Sequence, residues 1–472
     1  MSWLAVVSLC AFLTTSTGPR LLAQHVDPPN VVLIVSDDQR PDTIAALGNP
    51  LIRTPALDRL VRMGTAFDNA ICANPICTPS RAEILTGCSG IRNRVFDFGR
   101  TIDPQLPTLP EPFADAGYAT WYCGKWHNNG QPKDHGYSHT RGLYTGGGGK
   151  WAQPQVDYRG HAVTGYTGWI FRDQDGSPLP ELGVGLTANI SEIIADAAVG
   201  VITSSERPFF LHVNFTAPHD PLLIPPGDAY GYSSEQMRLP ENFRPTHPFD
   251  HGNTNGRDEN VVPPPRTEQE VLSDLAAYYS VITHMDAQIG RIIDALDQRD
   301  MLEQTIIVFC SDHGLAMGSH GLRGKQNQYD HTIRVPLILV GPGVPENRRS
   351  KGHVYLRDLF PTLCELAAVE VPDVDGKSQV PVLNGERDSV HEFTVGYFRD
   401  SQRMIRTDHW KLIHYPLIDR LQLFDLQKDP LEQNDLAQNT TYVKVRSDLL
   451  KRLDEWLDAQ SHNAADGSEP SL

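Results

Sequence analysis

The sequence predicts an α/β protein in which helices flank a large, mixed and mostly parallel sheet. Several apolar runs have the length of a strand and are almost continuously hydrophobic, which is typical of strands buried on both faces. Segments with a helical pattern separate these runs. From about residue 372 the pattern changes to short runs bounded by turn residues. We therefore expect a main domain over residues 28–371 and a smaller C-terminal α+β subdomain over residues 372–472.

Five runs of the main domain are predicted strands, and each has polar residues beside it that could do chemistry. In chain order they cover residues 30–36, 119–123, 208–215, 305–311 and 335–340. The first four lead into Asp37-Asp38, Gly124-Lys125-Trp126-His127, Pro218-His219 and Asp312-His313-Gly314, and Lys325 precedes the fifth. Ligands of open α/β sheets bind outside the carboxyl ends of the strands. We therefore expect these residues to converge on one site.

Two helices of the main domain have clear boundaries in the sequence. The segment from Thr267 to Gln298 begins with a capping box, Thr267-x-x-Glu270, and carries apolar residues at three- and four-residue steps. A shorter helix follows Cys77, with Thr78 as N-cap, Pro79 in the first helical position and Gly87 as the stop. Cys77 then lies at a helix start, where free N–H groups and the helix dipole favour negative charge.

The remaining segments are predicted to be loops and a second sheet. Residues 128–185, rich in Gly, Tyr, Trp and His, should form long loops over the sheet edge that select the substrate, although a disordered or merely decorative insertion is equally compatible with this composition. Residues 222–266 are a second such region. Runs at 393–398, 402–406, 410–415 and 421–425 predict an antiparallel sheet, and a final helix should cover about 442–459.

Three aspartates at strand ends indicate a metal site. Asp37, Asp38 and Asp312 would crowd three carboxylates together, and such like charges force protonation unless a cation neutralises them. Carboxylate oxygens favour Ca²⁺ or Mg²⁺. An Asp-Asp pair alone is more often a turn or a cap, but the pair Asp312-His313 at a second strand end favours a divalent metal.

The run Cys77-Thr78-Pro79-Ser80-Arg81, with Leu-Thr-Gly behind it, resembles the Cys-x-Pro-Ser-Arg signature of the type I sulfatases, formylglycine-dependent enzymes of the alkaline phosphatase superfamily. Segments 124–127, 217–221, 321–325 and 423–436 are similar to further blocks of that family, in the family's order. The resemblance implies an alkaline phosphatase-like fold and a Cys77 oxidised by a formylglycine-generating enzyme. It also implies one Ca²⁺ per chain, bound by Asp37, Asp38, Asp312 and His313. A hard cation does not prefer imidazole, so His313 is the unusual ligand.

The resemblance further implies the mechanism of a sulfuric ester hydrolase. One hydroxyl of the formylglycine hydrate at position 77, pinned by Arg81, would attack sulfur and displace the alcohol. Lys125, Lys325 and His219 would hold the sulfate, with His219 or Lys325 protonating the leaving oxygen. His127 would take the proton of the second hydroxyl, so that the aldehyde reforms and sulfate leaves.

The expected substrate is a sulfated carbohydrate, on the grounds of predicted export, aromatic loops and the habit of the family. An aryl or choline sulfate, or a phosphoester or phosphonate, is an alternative that the same cationic site could accept. A noncatalytic sulfoglycan-binding protein is a third interpretation, which the intact set of charged residues disfavours.

Composition and the N-terminus bound these interpretations. The net charge of −17 argues against nucleic acid as a partner. The apolar run from Leu4 to Leu13 and a plausible cleavage after Ala23 predict a signal peptide over 1–23 and export to the periplasm or medium, and Leu9 makes a lipid anchor at Cys10 a poor match. No later run has the length of a membrane span. Seven cysteines allow at most one or two disulfides.

Overall fold

The computed structural model describes Met1 and residues 28–463, except 164, 207 and 228. Apart from Met1, the predicted signal peptide lies outside these residues. Their strands are β1 (Asn30–Ser36), β2 (Gly64–Ile71), β3 (Ala119–Lys125), β4 (His139–Gly146), β5 (Gln155–Val156), β6 (Ala162–Val163), β7 (Trp169–Arg172), β8 (Phe209–Asn214), β9 (Thr305–Ser311), β10 (Leu337–Val340), β11 (Arg348–Tyr355), β12 (Thr394–Phe398), β13 (Gln402–Arg406), β14 (Trp410–Tyr415) and β15 (Arg420–Asp425). Their α-helices are α1 (Pro55–Met63), α2 (Cys77–Thr86), α3 (Gly90–Asn93), α4 (Pro110–Asp115), α5 (Ile190–Ser204), α6 (Glu268–Gln298), α7 (Asp330–Ile333), α8 (Leu359–Leu366), α9 (Val380–Leu383) and α10 (Val443–Asn463).

Nine strands form the main sheet in the order β11-β2-β10-β9-β1-β8-β3-β4-β7. The central strand β1 pairs in parallel with β8 and with β9, where Ser36 lies opposite Ser311. Strands β10 and β7 run antiparallel to their neighbours. The predicted large, mixed and mostly parallel sheet is confirmed.

Helices on both faces of the sheet explain why its central strands are continuously apolar. Val32 and Ile34 of β1 belong to a core cluster that includes side chains of α1, α5 and α6. Val31, Leu33 and Val35 belong to a second cluster, with side chains of α2 and α8. Every residue of β1 is therefore buried, whichever face it occupies.

The five predicted strands all exist, but the last runs in the opposite direction to the others. Leu337 of β10 lies opposite Cys310, near the carboxyl end of β9, so the amino end of β10 is the end at the shared edge. The rule from which the convergence was expected, that ligands bind at the carboxyl ends of strands, thus does not apply to β10. The reversal still serves the site, because Lys325 precedes this strand and is brought to the same edge.

The segment 128–185 contains more regular structure than predicted. β4 and β7 extend the main sheet, and β5 and β6 form a separate hairpin. The interpretation of this whole segment as loops is wrong for these strands. Six of the eight residues of β4 are exposed or only partly buried and its sequence is polar and glycine-rich, so it lacks the apolar signal of a central strand.

The C-terminal region has its own sheet, in the order β12-β13-β14-β15 with antiparallel pairing throughout, as predicted. Helix α10 covers one face, where Leu449 and Leu453 pack with Val395, Ile405 and Leu412. The predicted capping box of α6 is present, with Thr267 as N-cap and Glu270 as its partner. The six cysteines among the described residues are all free and buried. None of the described helices is both long and apolar enough to cross a membrane.

Candidate active site

The carboxyl ends of β1, β3, β8 and β9 bring sequence-distant polar residues together around the start of α2. Lys125 Nζ lies 2.5 Å from Asp37 Oδ2, and Lys325 Nζ lies 2.8 Å from Asp38 Oδ1. His219 Nε2 is 3.8 Å from Asp38 Oδ2. The residues predicted from separate strand ends thus share one buried cluster.

Cys77 occupies the first helical position of α2, inside this cluster. Its Sγ is 3.4 Å from Lys325 Nζ and 3.3 Å from His313 Nε2. Burial alone would raise the pKa of the Cys77 thiol, but Lys125, Lys325 and His313 lower it well below its ordinary value. The cluster therefore stabilises negative charge at residue 77.

The N-cap of α2 differs from the prediction. Ile76, not Thr78, is the N-cap, with an extended backbone at φ −135° and ψ 139°. Thr78 Oγ1 instead donates a hydrogen bond to the backbone oxygen of His127, at 2.9 Å. Ser80 Oγ donates to the backbone oxygen of Asp312, at 2.6 Å. These side chains fasten the helix start to the ends of β3 and β9, while Gly87 ends the helix in the left-handed region as predicted.

Arg81 joins α2 to the carboxylates. Its guanidinium donates to Asp312 Oδ2, with Nε at 3.1 Å, and to Asn214 Oδ1. It also lies 3.5 Å from Asp37 Oδ1. Asn214 ends β8 and was not predicted, although the rule that polar residues at strand ends form the site would have included it.

Four side chains can each direct one ligand atom to a common point. These atoms, one each from Asp37, Asp38, Cys77 and His313, lie within 4.8 Å of one another. Asp37 Oδ1 is buried without a hydrogen-bond partner. Burial alone would raise the pKa of Asp37, but Lys125 holds it well below its usual value, so it is a carboxylate. A buried anionic oxygen lacking a hydrogen bond fits a hard divalent cation.

Asp312 lies beside this group rather than within it. Its Oδ1 accepts from the backbone N–H groups of Asp38 and His313, at 3.1 and 2.9 Å. Its Oδ2 accepts from Arg81. Burial raises the pKa of Asp312 to about 7. The predicted role of Asp312 as a ligand therefore has less support from the geometry than the roles of Asp37 and Asp38.

The two candidate proton carriers have opposite environments. Burial and Lys125 lower the pKa of His127 to about 4, so this ring is neutral near pH 7. For His219, burial alone would lower the pKa, but Asp38 and Asp220 raise it above its ordinary value. His127 is therefore suited to accept a proton and His219 to donate one.

Tyr166 is a site residue that the sequence did not reveal. Its hydroxyl donates to Asp37 Oδ2 at 2.7 Å, and its ring packs edge-on against His219 at 4.8 Å. Burial and Asp37 raise its pKa well above the ordinary value, so it keeps its proton. Tyr166 follows no predicted strand, and nothing in its local sequence separates it from the other aromatic residues of 128–185.

Family models match almost the whole described chain. The model described as "Sulfatase" matches residues 29–369, and the one described as "N-sulphoglucosamine sulphohydrolase, C-terminal" matches residues 318–459. The chain belongs to the sulfatase family. It is an enzyme that hydrolyses sulfate esters, and such enzymes generally use a formylglycine and a metal ion.

Three curated relatives support this assignment. An arylsulfatase of Clostridium perfringens is 30% identical over 474 residues, covering 93% of this chain and 97% of that protein. A choline-sulfatase of Rhizobium meliloti is 30% identical, over 87% of this chain and 83% of that protein. An N-acetylglucosamine-6-O-sulfatase of Bacteroides thetaiotaomicron is 26% identical, with coverages of 94% and 89%.

Solved structures confirm the alkaline phosphatase-like fold of this sulfatase. A protein solved in complex with "its substrate D-Glucosamine-2-N, 6-O-disulfate" superposes with a TM-score of 0.74 at 25% identity, covering 94% of this chain and all of that one. A phosphonate monoester hydrolase of Agrobacterium radiobacter superposes with a TM-score of 0.71 at 22% identity, with coverages of 92% and 96%. At 22% identity, the similarity to the phosphonate monoester hydrolase shows a shared fold and nothing about activity.

Proposed function

We propose that this sulfatase removes sulfate from a sulfated carbohydrate, using a formylglycine made from Cys77 and one bound Ca²⁺. The observation that carries the proposal is the position of Cys77, buried at the first turn of α2 between Lys325 and His313 and beside the Asp37-Asp38 pair. A residue placed there can act on a sulfate held by fixed positive charges.

The cationic side chains bind and orient the sulfate. Lys125 and Lys325, both buried, would contact its nonbridging oxygens, where charge increases in the transition state. Arg81 holds the start of α2 against Asp312, which keeps residue 77 aimed at the sulfur. Removing one such donor typically lowers the rate by about 10²–10³-fold.

The two histidines complete the proton balance. One hydroxyl of the formylglycine hydrate gives its proton to solvent and forms a bond to sulfur, and the S–O bond to the alcohol breaks. His219 gives its proton to the leaving oxygen, with Lys325 as the alternative donor. His127 then removes the proton of the remaining hydroxyl, the aldehyde reforms with release of sulfate, and water restores the hydrate.

Calcium would be held by Asp37, Asp38 and His313. It would supply Lewis-acid stabilisation of the charge on the sulfate oxygens. Asp312 is the fourth proposed ligand, and it would join by exchanging one of its N–H contacts for the ion.

The carbohydrate class rests on two grounds. One relative is an N-acetylglucosamine-6-O-sulfatase, and one similar structure contains a sulfated glucosamine. Around His127, the ring of Phe98 lies at 5.8 Å and that of Trp169 at 5.1 Å, and Phe98 is 44% exposed. Aromatic side chains beside polar groups are typical of sites that bind small organic molecules.

A small aryl or choline sulfate is the second candidate substrate, favoured by the two relatives at 30% identity. We also propose that the protein is exported to the periplasm or medium and matured by a formylglycine-generating enzyme. Export rests on the predicted signal peptide.

A sulfate-release screen tests the function. The chain, produced together with a formylglycine-generating enzyme, would be assayed on sulfated glycans, on aryl and choline sulfates and on matched phosphate esters. We expect turnover of a sulfated glycan, which Cys77→Ala and Cys77→Ser each abolish without loss of fold. Undiminished multiple turnover by Cys77→Ser would contradict the hydrate mechanism, because a sulfated serine has no such exit route. Preference for phosphate would contradict the proposed substrate class.

A further inference from the structure

Tyr166 connects the segment 147–169 to the proposed metal site. Its side chain is buried, 7% exposed, and its hydroxyl donates a 2.7 Å hydrogen bond to Asp37 Oδ2. The Lys125 ammonium lies 5.2 Å from the centre of its ring. One side chain thus contacts a carboxylate, an imidazole and an ammonium of the active site.

The backbone around Tyr166 is held firmly in place. The N–H of Gly147 donates to the oxygen of Gly168, and that of Gln153 donates to the oxygen of Thr167, each at 2.7 Å. Tyr166 itself has a φ of 62°, which is unfavourable for a bulky residue, and its ring packs against Trp169 with centroids 4.9 Å apart. A strained conformation persists only where the surroundings impose it.

The two carboxylate oxygens of Asp37 have different surroundings, partly because of the hydrogen bond from Tyr166. Oδ2 accepts from both Lys125 and Tyr166, whereas Oδ1 has no hydrogen-bond partner. With Oδ2 occupied by two donors, rotation of the carboxylate would break both bonds. Oδ1, which lies 3.5 Å from Arg81 Nη2 and accepts no hydrogen bond, therefore keeps a fixed position in which it can bind an ion.

We propose that Tyr166 is a positioning residue for the metal site, which fixes Asp37 through its hydroxyl so that Oδ1 remains available to the ion. The inference rests on the calcium part of the proposed function. Partners of this kind, which contact a ligand rather than the metal, commonly change metal affinity by about 10- to 100-fold when removed.

Tyr166→Phe tests the inference because it removes only the hydroxyl. Tyr158→Phe is the matched control: Tyr158 lies in the same segment, and its hydroxyl is buried without a hydrogen-bond partner. Each full-length, formylglycine-containing protein would be stripped with chelator and titrated with Ca²⁺ alone by calorimetry. We expect the Kd of Tyr166→Phe to rise by about 10- to 100-fold, with Tyr158→Phe matching the wild type.

Melting temperatures in excess chelator separate positioning from folding. We expect the metal-free Tyr166→Phe protein to melt within a few degrees of the metal-free wild type while its calcium affinity falls. An unchanged Kd for Tyr166→Phe overturns the role of Tyr166 and leaves the calcium proposal intact. A wild-type protein that takes up no Ca²⁺ overturns both. An equal loss of affinity in Tyr158→Phe also overturns the specific role of the Tyr166 hydroxyl.

Discussion

At the scale of single residues, His127 and His219 illustrate how surroundings assign chemistry. His219 is buried and His127 is partly buried. Lys125 is the charged side chain that most lowers the pKa of His127, whereas Asp38 is the one that most raises the pKa of His219. The pKa of the first falls to about 4 and that of the second rises above its ordinary value. Two residues of one type are thus prepared for opposite halves of a proton transfer.

This assignment predicts a trapped intermediate in His127→Ala. The first step needs His219 and proceeds, but the second hydroxyl of the hydrate then lacks a base, so kcat should fall by about 10²–10⁴-fold. We expect a burst of about one alcohol per active site, followed by slow turnover. Intact-protein mass spectrometry should detect a sulfated residue 77, which the wild type does not accumulate. Slow turnover with neither burst nor sulfated protein would assign His127 to the first step instead.

The residues of the site differ in how well sequence could reveal them. Asp37, His127 and His219 follow apolar runs, so strand ends alone predict that they converge. Contacts that depend on the path of a long connection, such as that of Tyr166 with Asp37, have no sequence signal of this kind. Strand ends and the resemblance both predict Asp312 as a ligand, but its hydrogen bonds to backbone N–H groups could be seen only in three dimensions.

At the scale of elements, Gly147 allows the segment that contains Tyr166 to lie close to the end of β4. A Cβ at Gly147 would lie 2.6 Å from the backbone oxygen of Gly168, closer than real Cβ atoms approach. A Cβ at Gly149 would meet nothing within 4 Å. The four glycines of this run are therefore not equivalent.

Gly147→Ala should displace the segment while leaving every site residue intact. We expect a loss of stability of about 1–3 kcal/mol, as for other overpacked positions, together with weaker binding of Ca²⁺ because Tyr166 moves away from Asp37. Gly149→Ala should leave both quantities unchanged. Urea denaturation and calcium titration measure them. Equal behaviour of the two variants would mean that the close approach at Gly147 does not hold the segment.

The directions of the strands show where sequence reasoning about elements reaches its limit. Continuous hydrophobicity predicts that a strand is central, because helices cover both faces, but it carries no information about direction. β10 was therefore predicted as a strand and only the structure reveals that it runs antiparallel to β9. β4, next to the edge strand β7, has a polar sequence without the continuous hydrophobicity that predicts a strand.

At the scale of the whole molecule, a buried ion cluster fastens the C-terminal sheet to the main domain. Asp330, at the start of α7, lies 2.8 Å from Lys411 Nζ of β14 and 3.3 Å from the Arg406 guanidinium of β13. Glu432 also pairs with Lys411, at 2.6 Å. Burial alone would raise the pKa of Asp330, but Arg406 and Lys411 hold it well below its usual value.

The cluster predicts a dependence of stability on pH. Because the folded pKa of Asp330 lies below the value of about 3.9 in the unfolded chain, the unfolded state binds the proton first as the pH falls. The stabilisation by Asp330 is therefore complete above about pH 4 and is lost progressively below it. Asp330→Asn should cost about 3 kcal/mol at pH 7, near the lower limit for breaking a buried pair, because Lys411 keeps Glu432 as a partner at 2.6 Å.

Urea denaturation of the wild type and Asp330→Asn at pH 7, 5 and 3.5 measures this contribution. Burial raises the pKa of Glu432 to about 7, so this neighbour titrates between pH 7 and 5 and the comparison that isolates Asp330 is pH 5 against pH 3.5. We expect the difference in unfolding free energy to be smaller at pH 3.5 than at pH 5, since only the wild type loses the Asp330 charge. Asp448→Asn is the control, because its pair with Lys444 on α10 is exposed and should contribute little at any pH. A difference that stays constant down to pH 3.5 would show that Asp330 acts through packing or hydrogen bonds rather than through its charge.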